Sequence, residues 1–191
     1  MEVFWRKGFE ATSLADLTAA MGINPPSLYA AFGDKERLFL EAAGHYEETR
    51  FALCPYTEEP TARAAVERLL AHLADELPSA DHPGCLMVMT MAISGASQEL
   101  KDALEKLRAE VRGRFRARIE RGIREGDVPA GTDAAALTDF YGAVISGMAL
   151  QARAGAGRKA MRAAAGQALS LFPPVQARRA PARGKGQRAS R

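Results

Sequence analysis

Residues 8–40 read GFEATSLADLTAAMGINPPSLYAAFGDKERLFL, and the reading of this stretch decides the fold. Gly8 supplies a left-handed end to whatever helix precedes it. Thr12 and Ser13 offer side-chain oxygens that open a helix over residues 14–21, and Asp16 sits in its positive first turn. Leu14, Leu17 and Met21 recur at i, i+3 and i+7 and define one inward face. Gly22 is the turn residue, and Ile23 drops into the small core. Asn24 caps a second helix that begins Pro25-Pro26, positions at which no intrahelical N–H is lost. Leu28 and Phe32 form its inward stripe. Asp34 then opens a third helix with Leu38, Phe39 and Ala42 inward. Two short helices about a glycine turn, with a third following at once, make a helix-turn-helix. Such modules lay their second helix in the major groove of DNA.

Outward from this module the pattern stays helical. Residues 1–6 read as the end of a first helix. Residues 52–60 hold two prolines and read as a loop. Val66, Leu69, Leu70, Leu73 and Leu77 mark an amphipathic helix over 61–77. The nearly uninterrupted apolar run from Cys85 to Ser94 has no strand partner and is expected to be a helix buried on most sides. The longest helix runs over 98–125, with Leu100, Leu104, Leu107, Val111, Phe115, Ile119 and Ile123 in one stripe. Helices over 133–153 and 158–172 follow, the last stopped by Pro173 and Pro174. The fold class is all-α: a helix-turn-helix domain over 1–45, a helical body over 46–173 and a disordered basic tail over 174–191.

Charge separates along the same lines. The chain has 191 residues, with 26 Lys and Arg against 23 Asp and Glu. Six of the basic residues, Arg178, Arg179, Arg183, Lys185, Arg188 and Arg191, lie in the tail, so the remainder carries about −3. Cys54 and Cys85 are too few for a disulfide framework and too far apart for a metal-ligand pair. His45, His72 and His82 fall on separate elements and read as surface groups. No nucleophilic triad, metal set or phosphate loop is spelled out, so no enzyme and no cofactor are expected. No apolar run reaches membrane-spanning length and no secretory leader is evident, which points to the cytoplasm and to no membrane partner.

The module closely resembles the DNA-binding segment of the TetR family of bacterial repressors. The shared positions are Gly8, Phe9, Thr12, Ser13, Gly22, Ile23, Ser27, Leu28, Tyr29, Phe32, Asp34, Lys35, Glu36 and Leu38. The segments near 83–88, 124–129 and 147–161 resemble one subgroup of TetR ligand-binding domains more loosely. Family members usually begin ten to twenty residues earlier with a basic arm, so this start reads as shortened, with Phe4 and Trp5 exposed on an incomplete helix. Residues 1–43 carry Arg6, Lys7, Lys35 and Arg37 against Glu2, Glu10, Asp16, Asp34, Glu36 and Glu41, an acidic balance for a DNA reader.

The resemblance implies Tyr29 and Lys35 as phosphate contacts, assisted by Thr12. Pro25, Pro26, Ser27 and Ala30 open or flank the exposed start of the second helix and are the candidates for base edges and thymine methyls. In the body, Met87, Met91, Phe115, Tyr141 and Met148 are the candidate lining of an apolar effector cavity. The last two helices, rich in Ala and Gly, fit a homodimer interface, and a twofold dimer implies a palindromic operator. The expected partners are thus double-stranded DNA, a small-molecule effector and a second copy of the chain. Two other readings stay open: a small-molecule-binding protein that has lost DNA binding, and a regulator sensing redox state through Cys85.

Overall fold

The computed structural model describes residues 1–81 and 83–174, Phe51 by its backbone alone, and all its regular elements are helical. α1 (Glu2–Lys7), α2 (Leu14–Met21), α3 (Pro25–Phe32) and α4 (Lys35–Leu53) come first. α5 (Ala62–Glu76), the short α6 (Leu86–Met89), α7 (Gln98–Glu125), α8 (Ala134–Arg153) and α9 (Arg158–Ser170) follow. The local capping chemistry is the reason for the boundaries. Ser13 accepts from the Asp16 N–H while Asp16 accepts from the Ser13 N–H, a reciprocal capping box. Asn24 accepts from the Ser27 N–H at 2.9 Å, and Asp34 accepts from the Arg37 N–H at 2.8 Å. Gly22 adopts φ 66°, the left-handed turn that separates α2 from α3 at no steric cost.

Two apolar clusters hold these helices. One joins Phe4, Trp5, Leu17, Leu28 and Phe39 of the first four helices, and Phe9 of the turn after α1, to Leu86, Met87, Leu100 and Leu104. The other lies among α5, α7, α8 and α9. α4 runs from the first into the body without a break, so the expected boundary at residue 45 falls inside a helix.

At the level of the helices and their packing, the structure corrects three sequence expectations. Phe4 and Trp5 are buried, not exposed: Phe4 packs edge-on to Phe39 at 4.9 Å, and Trp5 meets Tyr46 edge-on at 5.0 Å. The run from Cys85 to Ser94 is not one buried helix but the four residues of α6 and a 3-10 turn over Thr90–Ala92, with Met91 63% exposed. It is apolar because it is wedged between the two clusters, which does not require helical continuity. Met21 lies 42% exposed at the end of α2, outside the core that Leu17 enters. The basic residues of the tail lie outside the described residues.

Candidate nucleic-acid interface and cavity

α3 turns its first residues outward. Pro25, Pro26, Ser27, Ala30 and Tyr29 are exposed, the last by 47%, while Leu28 on the opposite face is fully buried. The helix thus presents a small, mainly apolar start and one phenol to solvent. Lys35, at the start of α4, is half-buried with its ammonium 4.5 Å above the Phe9 ring, an arrangement that holds the cation at the edge of the same surface. Thr12 belongs elsewhere. It is 1% exposed and its hydroxyl donates to the Gly8 carbonyl at 2.6 Å, so its side chain closes the turn after α1 and has nothing to offer a phosphate.

Four of the module's six carboxylates are held in local contacts, which orient them without removing their charge. Asp16 pairs with Lys7 at 2.6 Å, and that contact holds its carboxyl well below the usual range. Glu10 accepts from the N–H groups of Ser94 and Gly95 at 3.0 and 3.4 Å. Glu36 accepts from the Ser97 N–H at 2.8 Å and from its hydroxyl. Glu10 and Glu36 are therefore clamped onto the loop before α7, and Asp34 caps α4. From α8, Arg153 donates to the carbonyls of Trp5 and Arg6 at the end of α1, at 3.3 and 3.4 Å. The module is fastened to the body by Arg153 at the end of α1 and by Glu10 and Glu36 on the loop before α7, a feature invisible to a local reading of the sequence.

Behind the module lies a cavity of about 520 Å³ among α4, α5, α6, α7 and α8. Its wall includes Met87, Met91, Phe115 and Tyr141, all candidates from the sequence. Met148 is not in the wall: it is 2% exposed and packs in the body core. Met148 follows Tyr141 at i+7 on α8, so periodicity alone could not separate the two. The second half of α4 contributes Tyr46, Glu47, Arg50 and Cys54, none of which the sequence pattern singled out. Arg50 stacks over Trp5 at 4.9 Å and over Tyr46 at 5.3 Å, and pairs with Glu76 of α5 at 2.5 Å. One side chain thus touches α1, α4, α5 and the cavity.

Cys85 accepts a hydrogen bond from the Tyr46 hydroxyl at 3.3 Å, and burial pushes its thiol pKa up. The helix it precedes has only four residues. A thiolate favoured by a helix start, the basis of the redox reading, is replaced here by a protonated thiol packed as a small apolar group. His72 is half-buried in the wall rather than on the surface, and Nε2 is buried without a partner among the described residues. Burial lowers its pKa below the ordinary 6.5. A histidine whose folded pKa is depressed contributes stability above its unfolded value and loses it as pH falls. Thermal melts should therefore drop on acidification below pH 6.5, and His72→Gln should flatten that drop. An unchanged pH profile in the variant would contradict the assignment.

An exposed second helix of a helix-turn-helix, mounted on a helical body with a cavity that opens to solvent, is the architecture of a DNA-binding regulator. The comparisons with known proteins agree. The model of bacterial regulatory proteins of the tetR family matches residues 1–42, and that of the tetracyclin repressor-like C-terminal domain matches residues 62–168. The HTH-type transcriptional repressor ComR of Escherichia coli (strain K12) is 33% identical over 181 residues, covering 92% of this chain and 86% of ComR. A cysteine mutant of the TetR family transcriptional regulator CifR, complexed with 26-bp double-strand operator DNA, superposes with a TM-score of 0.82 at 40% identity. That match covers 90% of this chain and 92% of CifR. A TetR-family regulator from Agrobacterium tumefaciens shares the fold, with a TM-score of 0.78 at 20% identity. The chain belongs to the TetR family and is a transcriptional regulator, not an enzyme. Among the described residues no helix is long and apolar enough to cross a membrane.

Proposed function

We propose that this protein is a homodimeric repressor that binds a palindromic operator and is released from it by a small molecule held in the cavity. The reader comprises residues 1–45 and the body residues 46–173. Pro25, Pro26, Ser27 and Ala30 meet base edges and methyl groups, while Tyr29 and Lys35 fix the register on phosphates. The observation that carries this reading is the continuity of α4. Its first turn holds Lys35 at the reader's edge, and its second half supplies Tyr46, Glu47, Arg50 and Cys54 to the cavity wall. A ligand that prefers one placement of α4 shifts the spacing of the two readers by its differential affinity for the two states.

The dimer is supported by the outer face of the last helices. Leu150 and Leu171 are 60% and 67% exposed, Phe140 is 37% exposed, and a Cβ added at Gly147 or Gly166 would meet nothing within 4 Å. Exposed apolar side chains among small residues suit the close approach of a second pair of helices. Sedimentation and gel-shift assays on DNA flanking the protein's own gene test the reading together. The wild-type chain should sediment as a dimer and shift that DNA. Leu150→Glu should sediment as a monomer and weaken the shift about tenfold or more, since each monomer keeps only half the contacts. A variant that stays dimeric with unchanged affinity would contradict the interface, and a wild-type monomer would contradict the proposal.

A further inference from the structure

We infer that the cavity is built to hold an uncharged aromatic molecule; the inference rests on the reading of this cavity as the effector site. Aromatic rings and sulfur atoms stand together in its wall, beside aliphatic side chains such as Leu69, Leu73 and Ile145. Tyr46, Tyr56, Phe115 and Tyr141 all line it, and with Phe115 5.8 Å from Tyr141 and 6.1 Å from Tyr56 the last three form a connected tilted array. Offset and edge-on packing against such rings favours a planar π system over a saturated one of equal size. Cys54, Cys85, Met87 and Met91 add four polarisable sulfur atoms to the same wall, and sulfur packs well at aromatic rings.

The charged groups of the wall, Asp139 apart, already have partners. Glu47 pairs with Arg114 across from α4 to α7. Arg50 pairs with Glu76, and Arg108 pairs with Glu105 at 2.7 Å while also donating to the Thr90 hydroxyl. Arg112 stands 3.6 Å from Glu105, more than half exposed. Asp139 is exposed on α8 and therefore solvated at the rim. Burial keeps the cavity's phenols and thiols protonated, with Tyr56 and Tyr141 each pushed up to about 12. An ionised ligand entering here would lose its water without gaining a buried counter-charge, whereas a neutral ring system would lose little. Size discriminates less, because a cavity of about 520 Å³ admits bicyclic and larger molecules alike.

Titration calorimetry of the full chain with four matched probes tests this: naphthol, its saturated counterpart decalol, naphthoate and naphthylmethylammonium. Naphthol should bind, and each of the other three should bind about tenfold more weakly or worse at neutral pH. Ile145→Phe, which fills the wall from α8, and Met91→Trp, which fills the exposed mouth, should each weaken naphthol binding. Equal or tighter binding of either ion, equal binding of decalol, no binding of naphthol, or naphthol binding that neither variant weakens would each overturn the inference. A parallel measurement of operator release separates this from the functional reading. Naphthol that binds with the stated preference yet leaves the protein on DNA would support the ligand class and overturn the effector role.

Discussion

Replacing Leu28 by alanine should abolish DNA binding at growth temperature while leaving most of the body folded. Leu28 is fully buried at the centre of the module, on the face of α3 opposite the exposed residues. It packs in the cluster that contains Phe4, Phe9, Leu17 and Phe39, and this cluster is the common core of α1, α2, α3 and α4. A leucine-to-alanine change at such a site costs about 2–5 kcal/mol, and the upper part of that range applies where the surroundings cannot collapse. Here the neighbouring rings are fixed against one another, Phe9 and Phe39 at 5.1 Å and Phe4 and Phe39 at 4.9 Å, so collapse is limited. α3 is eight residues long and cannot hold its shape without that contact. The loss should appear as a melting transition well below that of the body and as a gel shift absent above it. A variant with wild-type melting and wild-type affinity would mean that α3 is not anchored through Leu28.

Gly122→Val should destabilise the whole body. Gly122 sits near the end of α7, where its carbonyl accepts from the N–H groups of Asp127 and Val128 at 3.0 and 3.2 Å. Asp127 in turn accepts from the Ala62 N–H at 2.7 Å and so ties the start of α5 to the end of α7. A Cβ on Gly122 would lie 2.4 Å from Asp127 Oδ1, 2.7 Å from Ala62 Cβ and 2.9 Å from Val128 Cγ2. Ala62 cannot yield without moving α5, which packs along α9 and carries much of the core. Overpacking of this kind costs about 3 kcal/mol or more, because two helix ends must separate and the Asp127 hydrogen bond goes with them. Urea denaturation should show a lower midpoint at similar slope. A midpoint equal to wild type would show that the α5–α7 junction is looser than described.

What the sequence disclosed and what it withheld follows from the range of the forces involved. The helix-turn-helix was legible because its boundaries are set by neighbours three or four positions away: Ser13 with Asp16, Asn24 with Ser27, Asp34 with Arg37. The long helix over Gln98–Glu125 was equally legible from its stripe and its end at Gly126. The burial of Trp5 was not, because Tyr46 and Arg50 supply it from the far half of α4. Thr12 misled because a hydroxyl at a helix start can serve a backbone carbonyl or a ligand, and here Gly8 takes it. The place of the module's acids was not legible either, because Glu10 and Glu36 reach the loop at 94–97, more than sixty positions away. The cavity combines five helices, and no single periodicity contains it.

Selection from a random pool of duplexes, using the intact chain, bears most directly on the claim that α3 reads DNA. Enrichment should converge on a twofold-symmetric sequence, and Ser27→Ala together with Pro26→Ala should change the preferred bases within each half-site. Uniform recovery of all duplexes, or an asymmetric consensus indifferent to both substitutions, would contradict that claim.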